Sequence, residues 1–284
     1  MTLSSSTLSP SHSATREPVI EAYLLERRIT FMTTPTLVNV ISDMCTCGKK
    51  FVVANYNVHG FNLSMQLPWL DGFHKTANIT HCDGMGIIKL VNILGLKLPK
   101  EYKNSYTLLM PELLERCNER QFSVYLLGGK PEQLTNALIN LKNRYSEAHF
   151  SGHDGYFSVH DSNRNESIIN EINAIKPNVL IVGMGMPLQE QWVDLYRDRI
   201  DVNAIMLGGA VIDRFAGLVP DCPHYISDLG LEWLFRLLRE PRRLMGRYLL
   251  GNPVFLLNIA LASALGIRPL TIGRVDENWQ EIIP

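Results

Sequence analysis

The 284-residue chain has no run of about 18 consecutive apolar residues, the length a bilayer-spanning helix needs, so the sequence alone predicts no integral membrane segment. It has no Asp-x-Asp pair, no His-Glu-x-x-His and no other persuasive metal-ligand spacing, which points to metal-independent chemistry. The phosphate-loop pattern ending in Gly-Lys-Ser/Thr is also missing. The five cysteines, at 45, 47, 82, 117 and 222, are odd in number and lack the pairing of a zinc ribbon or a disulfide scaffold, so a reducing compartment is expected. Cys45 and Cys47, beside Gly48 and the basic Lys49-Lys50, read as part of an ordinary turn. A formal net charge of -1 gives no general basic surface, and nucleic acid is not an expected partner. The opening "MTLSSSTLSPSHSATREP" has no apolar core of signal-peptide length, and residues 1–28 read as a flexible leader.

What the chain does have is 46% hydrophobic residues, enough to bury a large core. They fall into short apolar runs, "KFVVAN", "ANITHC", "FSVYLLGG", "NVLIVGMG" and "NAIMLGGAV", each bounded by Gly, Asn or Asp. Between them lie segments of helical period such as "MPELLERCNERQ" and "PEQLTNALINLKNRY". Alternation of this kind predicts an α/β fold, a Rossmann-like parallel sheet flanked by helices, over residues 29–226.

In such sheets ligands bind beyond the carboxyl ends of the strands, so the strand exits carry the information. Three of them leave through glycine: Gly128-Gly129, Gly183 to Gly185, and Gly208-Gly209. Two of the three enter a helix with proline near its first turn, Pro131 and Pro187. Exposed amides at such turns favour an anion, and three similar exits point to a nucleotide. Gln189 would be free to hydrogen-bond it, with Asp213 in the third exit. The alternative is that the glycines only make tight turns. A dinucleotide fingerprint is incomplete, because the run from Gly183 lacks the third glycine and an acidic ribose reader.

The exit "THCDGMG" places Asp83 directly after an apolar run and before Gly84 and Gly86. A carboxylate there suits a general base, and equally the cap of the following helix.

Taken together, "CDGMG", "LLGGKP", "GHDGYF", "VGMGMPLQEQW", "GGAVIDRFAG" and "LEWLFRLLREPRRL" resemble, in order, the motifs of the WecG/TagA/CpsF bacterial glycosyltransferases. The resemblance covers about residues 30 to 260. It implies an inverting, metal-independent transfer of a sugar, N-acetylmannosamine, its uronic acid, glucose or similar, from a UDP-sugar to a polyprenyl-diphosphate-linked saccharide. It also implies polysaccharide biosynthesis on the inner face of a bacterial cytoplasmic membrane, with no cofactor beyond the donor substrate. Asp83 matches the family's proposed base, and Gln189 with its neighbouring glycines falls in the nucleotide pocket. In place of the family's Thr-x-Asn stand Asn55 and Asn57. Lys103 begins a segment where many members have Arg-x-x-Gly-x-Asp-Leu, and Asp221-Cys222-Pro223 replaces an Arg-Ala-Pro, removing one cation.

From Leu231 the composition changes. Arg236, Arg239, Arg242, Arg243 and Arg247 are interleaved with Trp233, Phe235 and several leucines, as suits an anionic membrane surface or a lipid diphosphate. Residues 227–268 read as a basic amphipathic helical appendage that associates with the membrane, and 269–284 as a tail. "VFLLNIALASALG" is too short to span a bilayer. The alternative for this arm is packing on the core or on another copy in a homo-oligomer. Two other functions compete with transfer: a nucleotide-binding oxidoreductase, and a non-catalytic partner in a polysaccharide assembly complex.

Overall fold

The computed structural model describes residues 17–220 and 222–276. Nine strands form one sheet: β1 (Val19–Leu24), β2 (Arg27–Phe31), β3 (Phe51–Tyr56), β4 (Ile79–Cys82), β5 (Ser123–Gly128), β6 (His149–His153), β7 (Val179–Gly183), β8 (Ala204–Leu207) and β9 (Leu270–Asp276). Their spatial order is β6-β5-β7-β8-β3-β4-β2-β1-β9, parallel from β6 to β2, with β1 and β9 antiparallel at one end.

The central strands are continuous apolar runs because both faces of the sheet are covered. On one face lie α1 (Thr34–Met44), α5 (Tyr106–Glu119) and α6 (Pro131–Arg144), whose Leu37, Leu113 and Leu141 are buried against Val53, Val124 and Met206. On the other face α3 (Pro68–Thr76), α7 (Ser162–Ile175) and α8 (Leu188–Tyr196) bury Phe73, Ile172 and Trp192 against Val52, Tyr125 and Leu180. A third cluster joins β1 and β2 to α2 (Val58–Gln66) and α4 (Met85–Ile93), through Phe31, Phe61 and Ile88. The predicted Rossmann-like sheet with flanking helices is therefore present.

The two ends of the chain depart from the expected boundaries. Residues 19–28, assigned to the leader, form β1 and the turn into β2, while residues 1–16 lie outside the described residues. Residues 270–276, assigned to the tail, pair with β1 as β9. "VIEAYL" and "LTIGRVD" carry charged residues, Glu21, Arg274 and Asp276, and so read less clearly as strands than the apolar runs of the centre. Asp221, of the Asp221-Cys222-Pro223 departure, also lies outside the described residues.

After β8 come the short helices α9 (Val211–Phe215) and α10 (His224–Asp228), then α11 (Glu232–Arg239). α12 (Pro241–Met245) and α13 (Gly251–Ala264) join through a π turn, Gly246–Leu250, into one continuous 24-residue helix, Pro241–Ala264. By length and composition that helix could cross a membrane, which corrects the expectation that nothing in the chain is long enough. The sequence hid it because Gly246, Gly251 and Pro253 interrupt the apolar run, and the helix passes through all three.

Candidate active site

The strand order reverses between β8 and β3: the chain goes from β3 outward to β4 on one side and reaches β8 on the other only after β5 and β7. Parallel strands diverge at such a switch point and leave a crevice beyond their carboxyl ends. A crevice of about 1210 Å³ opens there, roofed by the arm that follows β8. It is lined by Asn55 and Asn57 from the end of β3, Asp83 from β4, Gly129 from β5, Gly183 and Gly185 from β7, and Gly208, Gly209 and Asp213 from β8.

Asp83 does not cap α4. The N-cap is Gly84, at φ 108, and it has no side-chain cap bond. The Asp83 backbone amide instead donates to the Tyr56 carbonyl at 2.8 Å, which ties the residue to the end of β3 and leaves its carboxylate facing the crevice. Asn57 orients that carboxylate. Its Oδ1 caps α2 by accepting from the Gly60 amide at 3.0 Å, so its Nδ2 is turned to donate to Asp83 Oδ2 at 3.4 Å. Burial pushes the Asp83 carboxyl up to about 6, the negative charge of Glu232 adds to this, and Asn57, Arg236 and Arg247 oppose it. A carboxylate in that range is suited to take a proton near neutrality.

Asn55 is buried beside it. Its Oδ1 lies 3.0 Å from the Tyr106 hydroxyl, which also reaches the Leu207 carbonyl, while its Nδ2 has no protein partner. His59 shares the crevice, and burial together with Arg247 lowers its pKa to about 4, so it is neutral near pH 7.

Gln189 has a different role from the one expected. It is fully buried, and its Oε1 accepts from the Gly185 amide at 3.3 Å and the Gly209 amide at 2.9 Å. Its Nε2 donates to Glu190 Oε1 at 3.0 Å. The side chain thus staples the β7 loop to the β8 loop where it lines the crevice. Glu190 is buried as well, which raises its carboxyl to about 7. Trp192, one helical turn from Gln189, is buried and donates to Asn165 Oδ1 at 2.8 Å. The Gln-Glu-x-Trp run is therefore the buried face of a helix that fixes two loops.

Among the predicted glycines, Gly128 lies behind the crevice: a Cβ there would meet the Gly183 carbonyl oxygen at 2.3 Å, so glycine is needed for the two strand ends to pack. At Gly185 a Cβ would meet nothing within 4 Å, but the backbone stands at φ +84, which other residues adopt at a cost. Pro187 caps α8 and is not part of the crevice wall, which is made there by Met184, Met186 and Leu188.

The five arginines of the arm divide. Arg236, Arg243 and Arg247 line the crevice, whereas Arg239 and Arg242 are exposed outside it. The Nε atoms of Arg236 and Arg247 are buried and have no hydrogen-bond partner. Lys103, grouped with them as a lipid-facing cation, is buried instead and donates to Ser227 Oγ at 2.9 Å. Ser227 in turn donates to Glu232 Oε2 at 3.2 Å, and Arg214 lies 3.7 Å from Glu232 Oε1. The Lys103 chain thus braces the arm at Glu232, beside Asp83. Sequence reasoning missed Tyr106, His59, Glu190, Arg214 and Glu232. Glu190, Arg214 and Glu232 lie inside the motifs already quoted and Tyr106 in the segment that begins at Lys103, but His59 reaches the site only through the fold.

The arm is not amphipathic throughout. In α13 only Phe255, Ile259 and Ala262 are buried, along a seam against α2 where Phe61 meets Phe255 edge-on at 5.1 Å and Asn62 donates to the Gly251 carbonyl at 2.7 Å. Its other faces present Val254, Leu256, Leu257 and Leu261 to solvent, without a polar side. Among the described residues no group of three or more His, Cys, Asp or Glu is placed to hold a metal ion.

Residues 22–268 match the family model described as the Glycosyl transferase WecG/TagA/CpsF family. The chain is 32% identical over 211 residues to an N-acetylglucosaminyldiphosphoundecaprenol N-acetyl-beta-D-mannosaminyltransferase of Staphylococcus aureus strain MW2, covering 74% of this chain and 79% of that one. Proteins of the same name from strains NCTC 8325 / PS 47 and MRSA252 match with the same identity and coverage. With the match running from β1 to the end of the arm, this chain belongs to the WecG/TagA/CpsF family of glycosyltransferases.

Proposed function

We propose that the protein is an inverting hexosyltransferase that moves a sugar from a UDP-sugar to a polyprenyl-diphosphate-linked saccharide. The observation that carries this reading is Asp83, aimed by Asn57 and raised to about 6, between glycine-lined loops on one side and on the other Arg236 and Arg247 of the arm, whose buried Nε atoms have no partner. The nucleotide lies along the loops after β5, β7 and β8. The acceptor hydroxyl oxygen attacks the anomeric carbon from the face opposite the leaving group, and Asp83 takes the hydroxyl proton. As the new C–O bond forms, the bond to the β-phosphate oxygen breaks, and its electron pair leaves with UDP. Arg236 and Arg247 stand near enough to the base to balance the charge that develops on the departing diphosphate. Because the chain has no Asp-x-Asp pair, the side-chain cations take this load in our reading, and activity survives EDTA.

N-acetylmannosamine is the first donor to test and N-acetylglucosaminyl diphosphate lipid the first acceptor, following the names of the relatives. The uronic acid and glucose donors come next. We place the enzyme peripherally on the cytoplasmic face of a bacterial membrane, held by the exposed leucines of α13 and the outer arginines. The direct test is incubation with each UDP-sugar and the lipid-diphosphate acceptor, following UDP release and product mass, with and without EDTA. UDP release coupled to a product heavier by one hexose unit is expected. No transfer with any of the three donors would overturn the reading, and loss of activity in EDTA restored by magnesium would overturn its metal-independent part.

A further inference from the structure

Asp83 also borders a second cavity, of about 360 Å³, that is separate from the loop crevice. One wall is the first turn of α4, with Met85 and Ile87, and the other is the arm, with Trp233, Phe255 and Leu256. The two cavities share Asn57, His59, Asp83, Glu232, Arg236 and Arg247, so the base and two arginines stand in their common wall. The glycine loops after β7 and β8 line only the first cavity.

The second cavity brings three kinds of group together. Asp83, Arg236 and Arg247, the last two with Nε atoms buried without a partner, stand in the wall it shares with the crevice. Apolar Met85, Ile87, Trp233, Phe255 and Leu256 line this cavity and not the crevice, beside the polar Lys89, Ser227 and Asn252, and Leu256 is 56% exposed. Leu249, two turns before Leu256 on the same helix face, is 52% exposed, so the apolar lining continues into the bare apolar surface of the arm. A base, cations and an apolar lining that opens on an apolar surface match a sugar hydroxyl, a diphosphate and a hydrocarbon chain. At about 360 Å³ the cavity takes only the head of such a molecule. The rest of a long prenyl chain would have to lie outside, along the leucines of α13.

We propose that this second cavity is the acceptor channel, which takes the diphosphate and the first isoprene unit of the lipid-linked saccharide while the sugar hydroxyl stands at Asp83. The proposal rests on the functional reading above and adds to it a separate entry for the acceptor. The loop crevice receives the nucleotide sugar, and the two substrates meet only at the wall that carries the base.

The test uses two acceptors with the same N-acetylglucosaminyl diphosphate, one esterified to a farnesyl chain and one to a methyl group, in solution without vesicles. For the wild type the farnesyl acceptor should have a KM at least tenfold below that of the methyl acceptor. Leu256→Asp, at an exposed position where folding is not at risk, and Trp233→Ala should each raise the farnesyl KM about tenfold. The methyl KM and the affinity for UDP should stay within twofold, and Leu256→Met should retain the wild-type preference. Equal KM values for the two acceptors in the wild type, or variants that leave the farnesyl KM unchanged or shift both acceptors alike, would overturn the channel while leaving the transferase reading intact. Failure of the wild type to use either acceptor would overturn the transferase reading, and the channel with it.

Discussion

At the residue scale, the site depends on side chains that are held by the backbone before any ligand arrives. Asn57 caps α2 with one end of its amide and therefore presents the other end to Asp83. This predicts a pH profile. As a base Asp83 works only when ionised, so kcat/KM should rise with pH through a midpoint near 6. Glu232→Gln removes a negative neighbour that raises this carboxyl, and should move the midpoint to lower pH; Arg236→Ala removes a cation that lowers it, and should move the midpoint up. Midpoints that do not move in opposite directions would place the titrating group elsewhere. Gln189→Ala leaves the Gly185 and Gly209 amides without their acceptor, a loss of about 1–3 kcal/mol where such groups are buried. The β7 and β8 loops should loosen, and UDP affinity measured by calorimetry should fall about tenfold or more. The residues of this site were legible in the sequence where a strand exit or motif marked them, as for Asp83, Asn57 and the glycines. Gln189 was legible as a polar residue at a strand exit, and the crevice wall includes it, but only the fold shows that its Oε1 braces two backbone amides. Tyr106 lies in the segment from Lys103 that departs from the family pattern but was not singled out there, and His59 was not legible, because it is brought in from a helix with no motif of its own.

At the scale of elements, the arm joins two functions that composition alone merges. Its arginines are spread along the sequence, but the path of α11, α12 and the π turn brings Arg236, Arg243 and Arg247 into the crevice wall, with Arg236 and Arg247 beside Asp83, and leaves Arg239 and Arg242 outside. Substituting the outer pair by Glu should weaken binding to anionic vesicles about thirtyfold, taking about 1 kcal/mol for each cation lost. Transfer to a soluble acceptor should be unchanged. Substituting the inner pair by Ala should do the opposite, and co-sedimentation beside a transfer assay reads both. If all four arginines affect both assays alike, the division is wrong. The five central strands were legible as apolar runs because both their faces are buried. β1 and β9 were not, since β9, the edge strand, is largely exposed and β1 beside it is only partly buried, so neither is a continuous apolar run. The long helix was also hidden, because its glycines and proline read as breaks.

At the scale of the whole molecule, the switch between β8 and β3 opens the crevice, and the arm closes it. β1 and β9 contribute to the same end, since the chain returns from α13 to pair with β1 and so anchors the far end of the arm. The glycine loops line one side of the crevice, the arm brings the arginines and the apolar surface, and Asp83 stands where they meet. That meeting point is most directly tested by Asp83→Asn, assayed for sugar transfer and, on the same sample, for UDP affinity. The account predicts that transfer falls by about 10² to 10⁴-fold, the usual contribution of a positioned base, while UDP affinity stays within a few-fold of wild type. Turnover near the wild-type rate in the folded variant would contradict it.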